Sequence, residues 1–226
     1  MSDEDEQPSK LPEIVLGAAA GITGDVAGFY AGVPGLGAMT GGIVLGMYEL
    51  RGRRLAQFFS RVVRKVGGED KLAAAVQDDP GREQILYEAA QAAIATPIEE
   101  KRRLLAKVAA EALTGEKPAV DNAALIVTAL SGLEEQHIAA LTRIVAADDR
   151  NRRDPGISDE VLQDALEEEH PSVLAALVRT GVVLVGSQEV SPGLGSRPRA
   201  RNYSISGVNE FGRQLLADLR SVKIED

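Results

Sequence analysis

The chain has 226 residues, no cysteine and no tryptophan, and only 4% of it is aromatic. Without cysteine there are no disulfides, no thiolate metal ligands and no thiol nucleophile. That composition fits a reducing cytoplasm. Histidine occurs twice, which leaves few arrangements for nucleophile–histidine–acid catalysis. Basic charge is also short. Lys and Arg number 25 against 34 Asp and Glu, for a net charge of −9. Phosphate contacts are made mainly by Lys and Arg, so a general nucleic-acid-binding surface is disfavoured. The start, "MSDEDEQPSK", has neither the basic region nor the apolar core of a secretory signal.

What is present is alanine, leucine, valine and glycine. Hydrophobic residues make up 44%, enough for a buried core built from closely packed helices. Five segments follow from the text. Residues 1–12 read as a disordered acidic lead. Residues 13–50 form a glycine-rich apolar segment. Residues 51–66 form a basic amphipathic helix, with Leu55, Phe58, Phe59, Val62 and Val63 at helical spacing and Gly67–Gly68 as its stop. Residues 69–132 are helical with brief connections, which predicts a bundle. Within them Thr96 is placed to cap a helix opening at Pro97, Gly115 to stop it, and Asp121 to cap the next. Residues 133–226 change pattern, with short helices, a β-branched run, a loop and a final helix.

In the apolar segment Gly17, Gly21, Gly24, Gly28 and Gly32 recur in steps of three or four, on one helical face. The pattern resumes at Gly37, Gly41 and Gly46. Glycine costs a helix roughly 1 kcal/mol against alanine, so a one-sided row calls for close approach of another backbone. Residues 26–48 carry no charge and are long enough for a hydrocarbon core of roughly 30 Å. Arg51, Arg53, Arg54, Arg61, Arg64 and Lys65 follow, which is the arrangement of a lipid-surface helix. This reading expects membrane association at the cytoplasmic face of an inner membrane, or a cytoplasmic protein if the segment packs on protein. Pro34–Gly35 also allows a helical hairpin. In either drawing the glycines drive association into a homo-oligomer.

The C-terminal order is helix, helix, helix, strand, loop, strand, helix. The stretches "LVRTGVVLV", "YSIS" and "SGVNEFGRQLLADL" resemble the turn into the wing and the ending of bacterial winged helix-turn-helix regulators. Tyr203, Ile205, Ser206, Gly212, Leu215 and Leu216 carry that likeness, which covers about residues 134–220. It implies a three-helix module with a two-stranded wing and DNA binding by a recognition helix over 171–180. Ser172 and Arg179 would then meet bases, and Arg197, Arg199 and Arg201 of the wing would meet phosphates. The recognition helix is poor in polar side chains and follows "EEEH", so a docking or dimerisation role stays open beside it.

Both histidines stand in E-x-x-H frames, Glu134–His137 and Glu167–His170, the spacing used in di-iron bundles. His170 lies at a helix end and His137 beside an apolar stripe, so no metal is expected. "GVPGLG" lacks the Lys-Ser/Thr ending of a phosphate-binding loop. The sequence therefore predicts a mainly α-helical, non-enzymatic protein. Its parts are a glycine-rich hairpin or span, a helical bundle and a winged-helix-like C-terminus. It implies no cofactor or small-molecule substrate; its partners are a second copy, membrane lipid or, through the wing, DNA.

Overall fold

The computed structural model describes residues 40–77, 79–153, 158–186 and 204–223. They are mainly α-helical, with a small two-stranded antiparallel hairpin near the C-terminus followed by a helix. The helices are α1 (Thr40–Val66), α2 (Glu69–Gln77), α3 (Pro80–Ala95), α4 (Glu99–Thr114), α5 (Lys117–Gly132), α6 (Glu135–Arg153), α7 (Ser158–Glu167) and α8 (Pro171–Arg179). The strands β1 (Val183–Gly186) and β2 (Ser204–Val208) lead into α9 (Glu210–Ser221).

The chain divides into two compact units. The described part of the first lies within Met1–Pro97 and includes Leu105–Ala123; the second takes Ile98–Leu104 and the chain from Ala124 onward. In the first, α1 packs on α2 and α3. Its buried stripe is Leu55, Phe58, Phe59, Val62 and Val66, the i, i+3, i+4 spacing of one helical face. The Phe58 and Phe59 rings meet edge to face, 5.5 Å apart. In the second, α6 is the central element, packed against α7, α8, β2 and α9.

Alanine lets the first unit's helices approach closely. Ala89, Ala90 and Ala93 of α3 are buried, as are Ala106, Ala109, Ala110 and Ala112 of α4. The helix ends are closed by side chains. The amides of Gly67 and Gly68 both donate to the Val63 carbonyl at 3.0 Å, and Gly67 has φ +91°, a turn that favours glycine. Arg54 Nη1 donates to the Ile94 carbonyl at the end of α3, at 2.9 Å. Arg82 Nη2 donates to the Gly115 carbonyl at the end of α4, at 2.7 Å. A cation there satisfies a carbonyl without a helical partner and faces the negative end of the macrodipole.

Three expectations need correction. First, the membrane reading fails where it can be examined: among the described residues no helix is long and apolar enough to cross a membrane. The 27-residue α1 runs through residues 50 and 51 without a break. The end of the apolar segment and the basic helix are thus one element, with its charges inside it. Residues 1–39, with the disordered lead, most of the expected span and Gly17, Gly21, Gly24, Gly28, Gly32 and Gly37, lie outside the described residues. Second, α4 starts at Glu99, so Pro97 does not take its first position, and the Thr96 amide donates to the Ala92 carbonyl at 3.2 Å where α3 closes. Third, α5 starts at Lys117, so Asp121 lies inside it. Pro118, which has no amide to leave unpaired, fits that first turn.

Candidate functional site

The second unit is organised around a buried carboxylate that the sequence reading missed. Asp148, on α6, is 5% exposed. Its Oδ2 accepts from the Val208 amide at 3.3 Å and pairs with Arg213 Nη2 on α9, while Arg213 Nη1 pairs with Asp149. Arg152 Nε approaches Asp148 from the next turn of α6, at 3.4 Å. Burial alone would lower the Arg213 pKa, but hydrogen bonds and charge from Asp149, and then Asp148, outweigh it and hold the group above its ordinary value. The cluster ties β2 and α9 to α6. Gly207, at φ +154°, lies against the Asp148 carboxylate. Asp148 stands on the helical stripe of His137, Leu141 and Ile144, all buried. A charge on such a stripe was the available signal.

The start of α9 is built to lie close to β1. Asn209 caps it, Oδ1 accepting from the Gly212 amide at 2.8 Å and Nδ2 donating to the Gly181 carbonyl at 2.6 Å. A Cβ on Gly212 would overlap the Val182 carbonyl, so a side chain there would push α9 away. Leu215, Leu216 and Ile205 are buried and Ser206 is exposed. Tyr203 lies outside the described residues.

Lys101, on α4, is 3% exposed. Its ammonium donates to the Leu133 carbonyl just past α5. Burial lowers its pKa from the ordinary 10.5, against an opposing pull from Glu134. Next to it, the Glu134 amide donates to His137 Nδ1 at 2.8 Å. The Leu133–Glu134 peptide is therefore held from both sides. His170 precedes α8, and its Nδ1 lies 2.8 Å from Ser172 Oγ and accepts from the Ser172 amide at 3.3 Å.

The surface expected to read DNA has little to read with. Over α8 the buried side chains are Val173, Ala176 and Leu177. The outer sector is Pro171, Ser172, Ala175, Val178 and Arg179, with Ser172 and Arg179 at opposite ends and exposed. The Ser172 hydroxyl and amide are already engaged by His170. Ahead of α8, Glu167 and Glu168 are exposed, and Glu169 is held by Arg143 Nε at 2.7 Å. After α8 comes β1, paired with β2 as Val183–Val208, Leu184–Gly207, Val185–Ile205 and Gly186–Ser204. The register slips between Leu184 and Val185, leaving Ser206 as the extra residue. Alternation along β2 is broken there; on β1, Leu184 and Val185 are both outside, 44% and 52% exposed. Arg197, Arg199 and Arg201 lie outside the described residues.

The six basic residues assigned to a lipid surface all lie on α1 and differ in exposure. Arg54 turns inward to the Ile94 carbonyl and Arg61 is half-buried, while Arg51, Arg53, Arg64 and Lys65 are exposed. Of the glycines, Gly41 and Gly46 fall in α1. Among the described residues no group of histidine, aspartate and glutamate is arranged to hold a metal ion. The chain matches no protein-family model, no curated protein and no solved structure.

Proposed function

We propose that the second unit is a winged-helix-like docking module, that its occupant is a basic, apolar segment of another protein, and that the chain does no catalysis. The observation that carries this reading is the outward pair Leu184 and Val185 on an uncharged hairpin strand. Edge strands of monomeric proteins are usually guarded by charge or proline, and VLVG has neither. At the other end of α8, exposed Glu167 and Glu168 supply complementary charge for a cationic segment and repel phosphate. Between them α8 offers Ala175 and Val178, suited to apolar contact and unable to hydrogen-bond a base edge.

The test uses the full chain and two labelled probes, a Lys/Leu amphipathic peptide and a random-sequence DNA duplex, titrated by fluorescence anisotropy. The peptide should bind in a salt-sensitive way. Glu167→Lys with Glu168→Lys, and separately Leu184→Thr with Val185→Thr, should each weaken it at least about tenfold, a loss of about 1.4 kcal/mol. Binding of the duplex that is lost with the exposed Arg150 and Arg153 would replace this reading with a DNA-binding one. Peptide binding indifferent to Leu184 and Val185 would reduce it to nonspecific charge attraction.

A further inference from the structure

Both histidines of the chain do the same work, in the same unit. His137 is the third helical residue of α6, and its Nδ1 accepts the amide of Glu134, the residue before the helix. That is the reach-back half of a capping box, where glutamate or glutamine is usual. His170 is the residue before α8, and its Nδ1 accepts the amide of Ser172. Each bond needs a lone pair on Nδ1. A doubly protonated imidazole donates from both nitrogens and accepts at neither. Protonation also places a cation at a helix N-terminus, where the macrodipole is already positive.

We infer that the two histidines form a proton switch that loosens the starts of α6 and α8 together on acidification. The charged groups about His137 are the Lys101 ammonium from α4, which adds to the repulsion, and Glu134, which opposes it. Glu167, Glu168 and Glu169 precede His170 in the chain and oppose the effect there by favouring a charged imidazole, with Glu169 held by Arg143 of α6. Because α7, α8, β2 and α9 all pack on α6, losing its first turn reaches the whole unit. The first unit has no histidine and should not respond. The inference goes beyond the docking reading and does not depend on it.

The experiment compares the full-length chain with His137→Gln/His170→Asn, whose amide oxygens accept without titrating. Urea unfolding and amide exchange are followed between about pH 8 and about pH 5, the interval in which imidazoles change charge. The native chain should lose about fivefold in its folding equilibrium for each cap, from a cap worth about 1 kcal/mol. It should also lose protection at the Glu134 and Ser172 amides, and the double variant should keep both. The imidazole nitrogen spectrum of the native chain at neutral pH should show the proton on Nε2 and a hydrogen-bonded Nδ1, a result that needs no variant to fold. Equal acid sensitivity in the two proteins, or a proton on Nδ1 at neutral pH, overturns the switch.

Discussion

The two units hold themselves together in different ways. In the first, the C-terminal ends of α3 and α4 are closed by Arg54 and Arg82 on carbonyls, groups that stay charged at any ordinary pH, Asp79 caps the start of α3, and the core is apolar packing of Phe, Leu and Ala. In the second, Lys101, His137 and His170 bond backbone groups at helix ends, and Asp148 bonds the Val208 amide of β2. Three of the four polar residues buried in the described chain, Lys101, His137 and Asp148, belong to the second unit. Buried polar groups give direction but lose more when a partner is removed. The first unit should therefore be tolerant of pH and sensitive to volume, and the second the reverse.

The largest effects should come from one substitution in each unit. Asp148→Ala leaves Arg213 with Asp149 alone and the Val208 amide unpaired, and should cost about 3 kcal/mol. Phe58→Ala empties a fully buried ring site and should cost about 3–5 kcal/mol. Denaturant unfolding gives the totals, and amide exchange locates them. The Asp148 variant should lose protection in α9 first and the Phe58 variant in α3. If both variants lose protection uniformly, the units are one cooperative body and the contrast between them fails. Gly212→Ala should follow at about 1–3 kcal/mol, since its methyl must displace α9 from the Val182 carbonyl. Near-UV circular dichroism is weak in a chain without tryptophan, so the loss is best read from the thermal midpoint.

Much of this was legible in the sequence, and the failures share a cause. The stops at Gly67–Gly68 and Gly115, the stripe of α1 and the order of the C-terminal elements all follow from spacing and from residues with restricted backbone choices. The supposed boundary near residue 50 came from composition: charge begins there, but nothing breaks the backbone, and α1 continues. Asp121 has the chemistry of a cap, yet Pro118 three residues earlier already lies in the first turn of α5. Lys101 and Asp148 went unseen because a pattern of apolar positions passes over a polar residue on the same stripe, where it must be buried and paired. The unpaired Ser206 of β2 comes from a one-residue register slip, which strand alternation cannot foresee.

A smaller effect separates the units by pH at the alkaline end. Burial lowers the Lys101 pKa below 10.5. Between that lowered value and 10.5 the unfolded chain binds more protons than the folded one, so stability rises with pH across the interval. The penalty of burying the ammonium is fully present below it and is relieved as pH climbs through it. Lys101→Met should abolish that rise. It should also cost about 1–3 kcal/mol near neutrality, because the Leu133 carbonyl loses its donor. Urea midpoints across the alkaline range measure both. A rise that persists in the variant would assign it to other groups.

The smallest stability change should belong to the residues with the largest proposed role. Leu184→Thr and Val185→Thr keep a β-branched or strand-compatible side chain on a surface already open to water, so each should alter stability by less than about 0.5 kcal/mol. Leu125, at 62% exposure the most open large apolar side chain among the described residues, is the control. Leu125→Gln should be equally neutral in thermal melts and should leave peptide binding unchanged. Exposure alone predicts that the three substitutions behave alike. Only a surface shaped by the hairpin and α8 predicts that two of them weaken binding while the third does not. That difference must appear in the binding titration with no counterpart in the melting curve if the second unit's outer strand is there to meet a partner.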